Sequence, residues 1–184
     1  LNVDGIETEW MIPPDANANE IIFYLHGGGY CMGDINNYRA FVAKLALESG
    51  SKVLIINYSL APEKPYPAAL EDSLKIYQWL NENGYRSVSI VLAGDSAGGG
   101  LVLSTMLAAR DRGIVLPAGA VLLSPLTDLA CTGESFYAND KKDPVLSANI
   151  VAEIGKWYAG EIPLDDARVS PLYADYTHIP PMLI

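Results

Sequence analysis

Positive charge is scarce in this chain. Twelve Lys and Arg stand against 22 Asp and Glu, a net charge of −10. A surface so poor in cations has little to offer a phosphate backbone, which excludes nucleic acid as a partner. The acidity reads as a property of the surface rather than of the fold. Cysteine is almost missing: Cys31 and Cys131 stand alone and far apart. No disulfide framework is expected, and reduced, partly buried thiols place the chain in the cytoplasm as an expectation. No apolar run approaches the roughly 18 residues of a membrane span. Leu1–Trp10 is polar and carries no basic stretch, so no secretory leader is read there. Clustered His or Cys is absent too. Asp165-Asp166 and Glu71-Asp72 therefore read as solvated or helix-capping carboxylates, and neither a metal nor a cofactor is expected.

What is present is an ordinary globular composition. Half of the 184 residues are apolar, enough for a substantial core in a single domain over 1–184. There is no repeat and no low-complexity tract. Strand and helix patterns mostly alternate, predicting an α/β fold with a mostly parallel sheet and helices on both faces. Strands are expected at Ile6–Ile12, Ile21–Leu25, Val53–Tyr58, Val88–Ala93 and Ala118–Leu123, with a last one starting near Pro181. A helix capped by Asn36 or Asn37 should run through Glu48 to Gly50. A second, carrying Leu70, Leu74, Tyr77 and Leu80 on one stripe, should stop at Asn83-Gly84, and a third should span Gly98–Arg112. Residues 125–165 look helical and irregular, a segment able to cover a site.

Two glycine-rich motifs carry chemistry. Gly94-Asp95-Ser96-Ala97-Gly98, between a strand and a helix, fits the nucleophile elbow, in which the flanking glycines let a serine sit on a sharp turn. An ordinary glycine turn would give the same letters. His26-Gly27-Gly28-Gly29-Tyr30 follows a strand and can aim backbone N–H groups into a cavity, as acyl transfer requires for its oxyanion. A flexible loop is the plainer reading, and a phosphate loop would need a Gly-Lys-Ser/Thr ending that is missing.

Together the two motifs are far more specific. His26-Gly27-Gly28-Gly29 and Gly94-Asp95-Ser96-Ala97-Gly98-Gly99 resemble the two signatures of hormone-sensitive-lipase-like esterases in the α/β-hydrolase superfamily. Tyr58-Ser59-Leu60-Ala61-Pro62-Glu63, Ser124-Pro125, Asp143-Pro144 and Ser170-Pro171-Leu172 extend the resemblance over nearly the whole chain. It implies that Ser96 is the nucleophile of a short-chain carboxylesterase. The N–H groups of Gly28, Gly29 and Ala97 would form the oxyanion hole. His26 and Gly27 would brace the loop, Asp95 would be a hydrogen-bonding support, and Tyr30 and Tyr58 would line the substrate pocket. The expected partner is a small ester.

A serine needs a base and an orienting carboxylate. In this fold they follow the serine in the order Asp or Glu, then His. His178 is the only histidine after Ser96, and it precedes the last strand where the resemblance puts the base after a later one. Asp128 sits at the carboxyl edge of a strand, but the resemblance places the acid after the next strand, so a turn or capping role is preferred. The triad Asp and His are therefore expected beyond Ile184, with N-terminal cap helices missing as well. A fold lacking its last strands would expose apolar edges, so a homodimer partner or a complementing C-terminal fragment is an expectation. Two alternatives stay open: an inactive fragment, and a non-catalytic ligand-binding relative of the kind seen in plant gibberellin receptors.

Overall fold

A computed structural model describes residues 1–184, the side chain of Ala18 excepted. Seven strands form one sheet: β1 (Asn2–Val3), β2 (Ile6–Met11), β3 (Asn17–Leu25), β4 (Ser51–Asn57), β5 (Ile90–Asp95), β6 (Gly119–Leu123) and β7 (Met182–Leu183). Their spatial order is β1-β2-β4-β3-β5-β6-β7. From β4 to β7 every pairing is parallel, while β1 and β2 join antiparallel. Five helices complete the fold: α1 (Ile35–Ser49), α2 (Ala68–Glu82), α3 (Ser96–Asp111), α4 (Glu134–Asn139) and α5 (Ala148–Ala159).

The central strands are apolar on both sides because both sides are covered. Successive side chains alternate between faces. Phe23 and Leu25 of β3, with Leu54 and Ile56 of β4, enter the larger core against α2 and α3. Tyr24, Val53 and Ile55 point the other way and pack with Ile35, Val42 and Ala46 of α1. Twelve of the sixteen residues of α3 are buried, so this helix is apolar almost all round, as an interior helix must be. Its early turns approach β3 closely. A Cβ on Gly98 would run into the carbonyl oxygens of Leu25 and His26.

Helix α1 is capped earlier than the sequence suggests. The cap is Asp34, whose carboxylate accepts the Asn37 N–H at 2.8 Å, because Asp34 keeps extended backbone while Asn36 and Asn37 are already helical. Gly50 closes the helix at φ +66°. The short β1 has no counterpart in the sequence pattern. Leu183 and Ile184, at the edge of the sheet, are exposed.

Strand order sets the position of the site. From β3 the chain crosses through α1 to β4 on one side, and β5 lies on the other side. The carboxyl ends of β3 and β5 are thus neighbours, with Leu25 paired to Gly94. A crevice opens at such a reversal point, and the loops leaving these two strands carry His26–Gly33 and Ser96.

Candidate active site

Ser96 stands at the junction of β5 and α3 with φ +50°. A left-handed conformation costs a residue with a Cβ about 1–2 kcal/mol, and strain of this kind is held only where the surroundings impose it. Here the imposing contacts are the Leu25–Gly94 pairing on one side and the Ser96 carbonyl, which accepts the Leu126 N–H at 2.8 Å, on the other. The serine lines a cavity of about 300 Å³ with Ser124, Leu126, Phe136, Asp140 and Val151 among its other walls. Its first helical turn supplies the Ala97 N–H, one of the donors that an α-helix leaves without an internal partner.

The glycine loop after β3 turns sharply. Gly28 has φ +124°, and a Cβ there would also strike the Met32 carbonyl. The N–H groups of Gly28 and Gly29 take no protein acceptor among the described residues. Gly29 lies beneath Ile154 of α5, whose Cδ1 would be 2.9 Å from an added Cβ. The Gly27 N–H, by contrast, is committed: it donates to Asp95 Oδ1 at 2.9 Å and to the Tyr38 hydroxyl at 3.0 Å.

Asp95 faces away from the cavity. Its Oδ1 also accepts the Tyr24 hydroxyl, and its Oδ2 accepts that of Tyr38, both at 2.8 Å. His26 is completely buried. Its Nδ1–H donates to the Gly27 carbonyl at 2.7 Å, and its ring stacks on Tyr58 at 4.3 Å between centroids. Burial pushes the imidazole below its ordinary value, against the opposing pull of the Gly27 carbonyl and of Asp95 and Asp34. A neutral, enclosed imidazole of this sort braces a loop; it does not collect a proton from a serine.

Tyr30 and Tyr58 are expected beside the substrate from the sequence, and the structure turns both into the core. Tyr30 is buried against Tyr158. Tyr58 donates to the His26 carbonyl at 2.7 Å. Neither lines the cavity of Ser96, because each ring is spent on holding the glycine loop from behind. His178 is exposed, and neither histidine reaches that cavity wall. Asp128 is a loop staple: its carboxylate accepts from the Ala130 and Thr132 N–H groups and from the Thr132 and Tyr173 hydroxyls. Burial raises its pKa, and these four donors outweigh that and leave it low.

Sequence reading misses Tyr24 and Tyr38. A tyrosine in a buried strand needs a partner for its hydroxyl, which is a usable signal for Tyr24. Nothing in the spacing points Tyr38 at the same carboxylate. Among the described residues no three His, Cys, Asp or Glu gather as a metal site, and no helix is long and apolar enough to cross a membrane.

A family model described as alpha/beta hydrolase fold matches residues 22–184. An esterase of Acinetobacter venetianus is 37% identical over 185 residues, covering all of this chain and 61% of the relative. An acetyl-hydrolase of Streptomyces hygroscopicus is 36% identical, with all of this chain and 61% of the relative covered. The crystal structure of an esterase from the bacterial hormone-sensitive lipase family superimposes with a TM-score of 0.95 at 42% identity, over 99% of this chain and 61% of that one. The chain thus spans about three-fifths of the length of the relatives it matches. The chain belongs to the alpha/beta hydrolase fold family, in its hormone-sensitive-lipase-like branch.

Proposed function

We propose that this chain carries the nucleophile and oxyanion hole of a serine carboxylic ester hydrolase acting on short-chain esters. The observation that carries the reading is Ser96, held at φ +50° on the elbow and open to a cavity of about 300 Å³, a volume at the small end for ligand pockets. Ser96 Oγ attacks the ester carbonyl. The resulting oxyanion is met by the N–H groups of Gly28, Gly29 and Ala97, and the N-terminus of α3 adds its partial positive charge. The tetrahedral intermediate collapses, the alcohol leaves, and water then releases the acyl group from Ser96. The names of the relatives, esterase and acetyl-hydrolase, support ester substrates with small acyl groups.

Deprotonation of Ser96 needs a base, and both histidines of the chain are engaged or placed elsewhere. His26 is buried behind the loop and His178 is exposed away from the cavity wall. The reading therefore assigns the base and its carboxylate to residues outside Leu1–Ile184. Residues 125–165, with α4 and α5, are the proposed cover of the pocket.

The test is hydrolysis of p-nitrophenyl acetate and butyrate by the natural full-length protein, with Ser96→Ala beside it. Turnover should fall by at least about 10³-fold in the variant. Turnover that survives Ser96→Ala unchanged removes Ser96 from the reaction.

A further inference from the structure

The three groups that meet at Asp95 come from three different elements. Tyr24 lies on β3, Tyr38 on α1, and Gly27 at the head of the glycine loop. Only one of these side chains touches both the carboxylate and the loop. Tyr38 donates its hydroxyl hydrogen to Asp95 Oδ2 at 2.8 Å and accepts the Gly27 N–H at 3.0 Å. Tyr24 reaches Asp95 Oδ1 alone. The arrangement also explains why residue 27 is glycine although its φ is unexceptional. A Cβ there would land on Asp95 Oδ2 and 2.8 Å from the Tyr38 oxygen.

The geometry points to Tyr38 as a positioning residue of the oxyanion hole, clamping the Gly27 amide against Asp95 and so fixing the start of the turn that carries the Gly28 and Gly29 N–H groups. The inference rests on the esterase reading for its kinetic consequence, but the clamp itself is a structural statement. The His26–Gly27 peptide plane is fixed by where its N–H points. With that N–H held on Asp95 and Tyr38, the backbone turns at once through Gly28 and Gly29 (φ +124° and +61°), whose own N–H groups take no protein acceptor among the described residues. Without the Tyr38 hydroxyl the Gly27 N–H keeps Asp95 Oδ1 alone, so the plane is held less firmly and the aim of both donors loosens. An oxyanion hole acts through donors already aimed at the developing charge, so loss of aim costs rate and leaves substrate binding nearly untouched.

A packing role alone is the competing account, and Tyr24 embodies it. Its ring is buried, while that of Tyr38 is only partly so. Both rings pack together at 6.1 Å between centroids. Both phenols stay protonated at neutral pH, Tyr38 being pushed up to about 12 by burial and by Asp95. Each can therefore donate to the carboxylate, and the two differ in that Tyr38 also holds the loop.

The experiment compares Tyr38→Phe with Tyr24→Phe in the natural full-length protein. Each variant loses one hydrogen bond to Asp95, and Tyr38→Phe loses the Gly27 contact as well, so both melting temperatures should fall, that of Tyr38→Phe by at least as much. Hydrogen exchange at the Gly27 amide should accelerate about tenfold or more in Tyr38→Phe and stay within about twofold in Tyr24→Phe. With p-nitrophenyl butyrate, Tyr38→Phe should lose about tenfold in kcat with KM changed less than about twofold, and Tyr24→Phe should keep its kcat. Unchanged Gly27 exchange in Tyr38→Phe, or equal losses of kcat in both variants, overturns the clamp. If the unsubstituted protein shows no Ser96-dependent turnover, the esterase reading falls, and the exchange measurement still decides the clamp.

Discussion

Tyr30 and Tyr158 stack face to face, with ring centroids 3.8 Å apart and planes 8° from parallel. The contact joins the glycine loop to α5, and Tyr66 closes it edge-on at 6.0 Å from Tyr158. The Tyr158 hydroxyl is buried and has no hydrogen-bond partner among the described residues. A polar group in that position is a liability, since its desolvation is not offset. Tyr158→Phe should therefore leave stability unchanged or raise it by up to about 1 kcal/mol. Tyr158→Ala, which removes the stack and leaves a void, should lower it by about 3–5 kcal/mol. Urea melts of the two variants give the comparison, and a large loss in Tyr158→Phe would show that the hydroxyl has a partner after all.

Ser96 inverts the usual ranking of alanine and glycine. In a helix interior Ala is favoured over Gly by about 1 kcal/mol. At φ +50° the Cβ is the source of strain, and glycine relieves it. Ser96→Gly is expected to be more stable than Ser96→Ala by about 1 kcal/mol. Thermal unfolding of the two side by side measures this. Greater stability of the alanine variant would mean that the elbow stores no strain at this residue.

The elbow can be read from letters alone because its requirements are local. Gly94, Ser96 and Gly98 fall within one strand–turn–helix step, although what forbids a Cβ on Gly98 is the distant pair of carbonyls of Leu25 and His26. The central strands are legible for a local reason too: Ile21–Leu25 is an unbroken apolar run, as a strand covered on both faces must be. What is lost needs distance. Asp34, Asn36 and Asn37 are all capable caps, and only the backbone geometry chooses Asp34. Tyr30 and Tyr58 are aromatic residues near a site, and their direction depends on Tyr158 and His26, contributed by other elements. The carboxylate of Asp95 gathers donors from β3, α1 and the glycine loop, a convergence that no spacing encodes.

His26 should make the protein acid-sensitive. Its buried imidazole titrates below its ordinary value of 6.5, so the folded state stays neutral where the unfolded chain already takes up a proton. The unfolded state then binds more protons, and stability falls as pH drops below about 6.5, by at most about 1.4 kcal/mol per pH unit until the folded imidazole titrates as well. Asp95 and Asp34 face the ring and oppose the shift without reversing it. His26→Asn retains a donor for the Gly27 carbonyl and cannot titrate. Between pH 7.5 and pH 5.5 the unsubstituted protein should lose more stability than His26→Asn, by about 1 kcal/mol. Parallel pH dependence in the two would place the titration elsewhere.

Asp128 offers the sharpest test of what is structural near the site. Its Oδ2 accepts the Thr132 N–H and hydroxyl, both at 2.7 Å, and its Oδ1 accepts from Ala130 and Tyr173 at 3.0 and 3.1 Å. An asparagine in its place must turn an NH₂ group toward one of these donor pairs, setting donor against donor. Asp128→Asn should thus cost about 1–3 kcal/mol at pH 7. The donors hold the carboxyl below its ordinary value of 3.8, so its stabilisation is complete above that value and fades as pH falls through the lower, folded one. The variant lacks this component of acid sensitivity. In the esterase assay, run below the melting temperature of the variant, kcat should stay within about threefold of the parent, because the carboxylate braces the 128–132 turn and orients no base. A collapse of kcat by about 10³-fold or more, the scale seen when the orienting carboxylate of a triad is lost, would instead make Asp128 the acid of the active site.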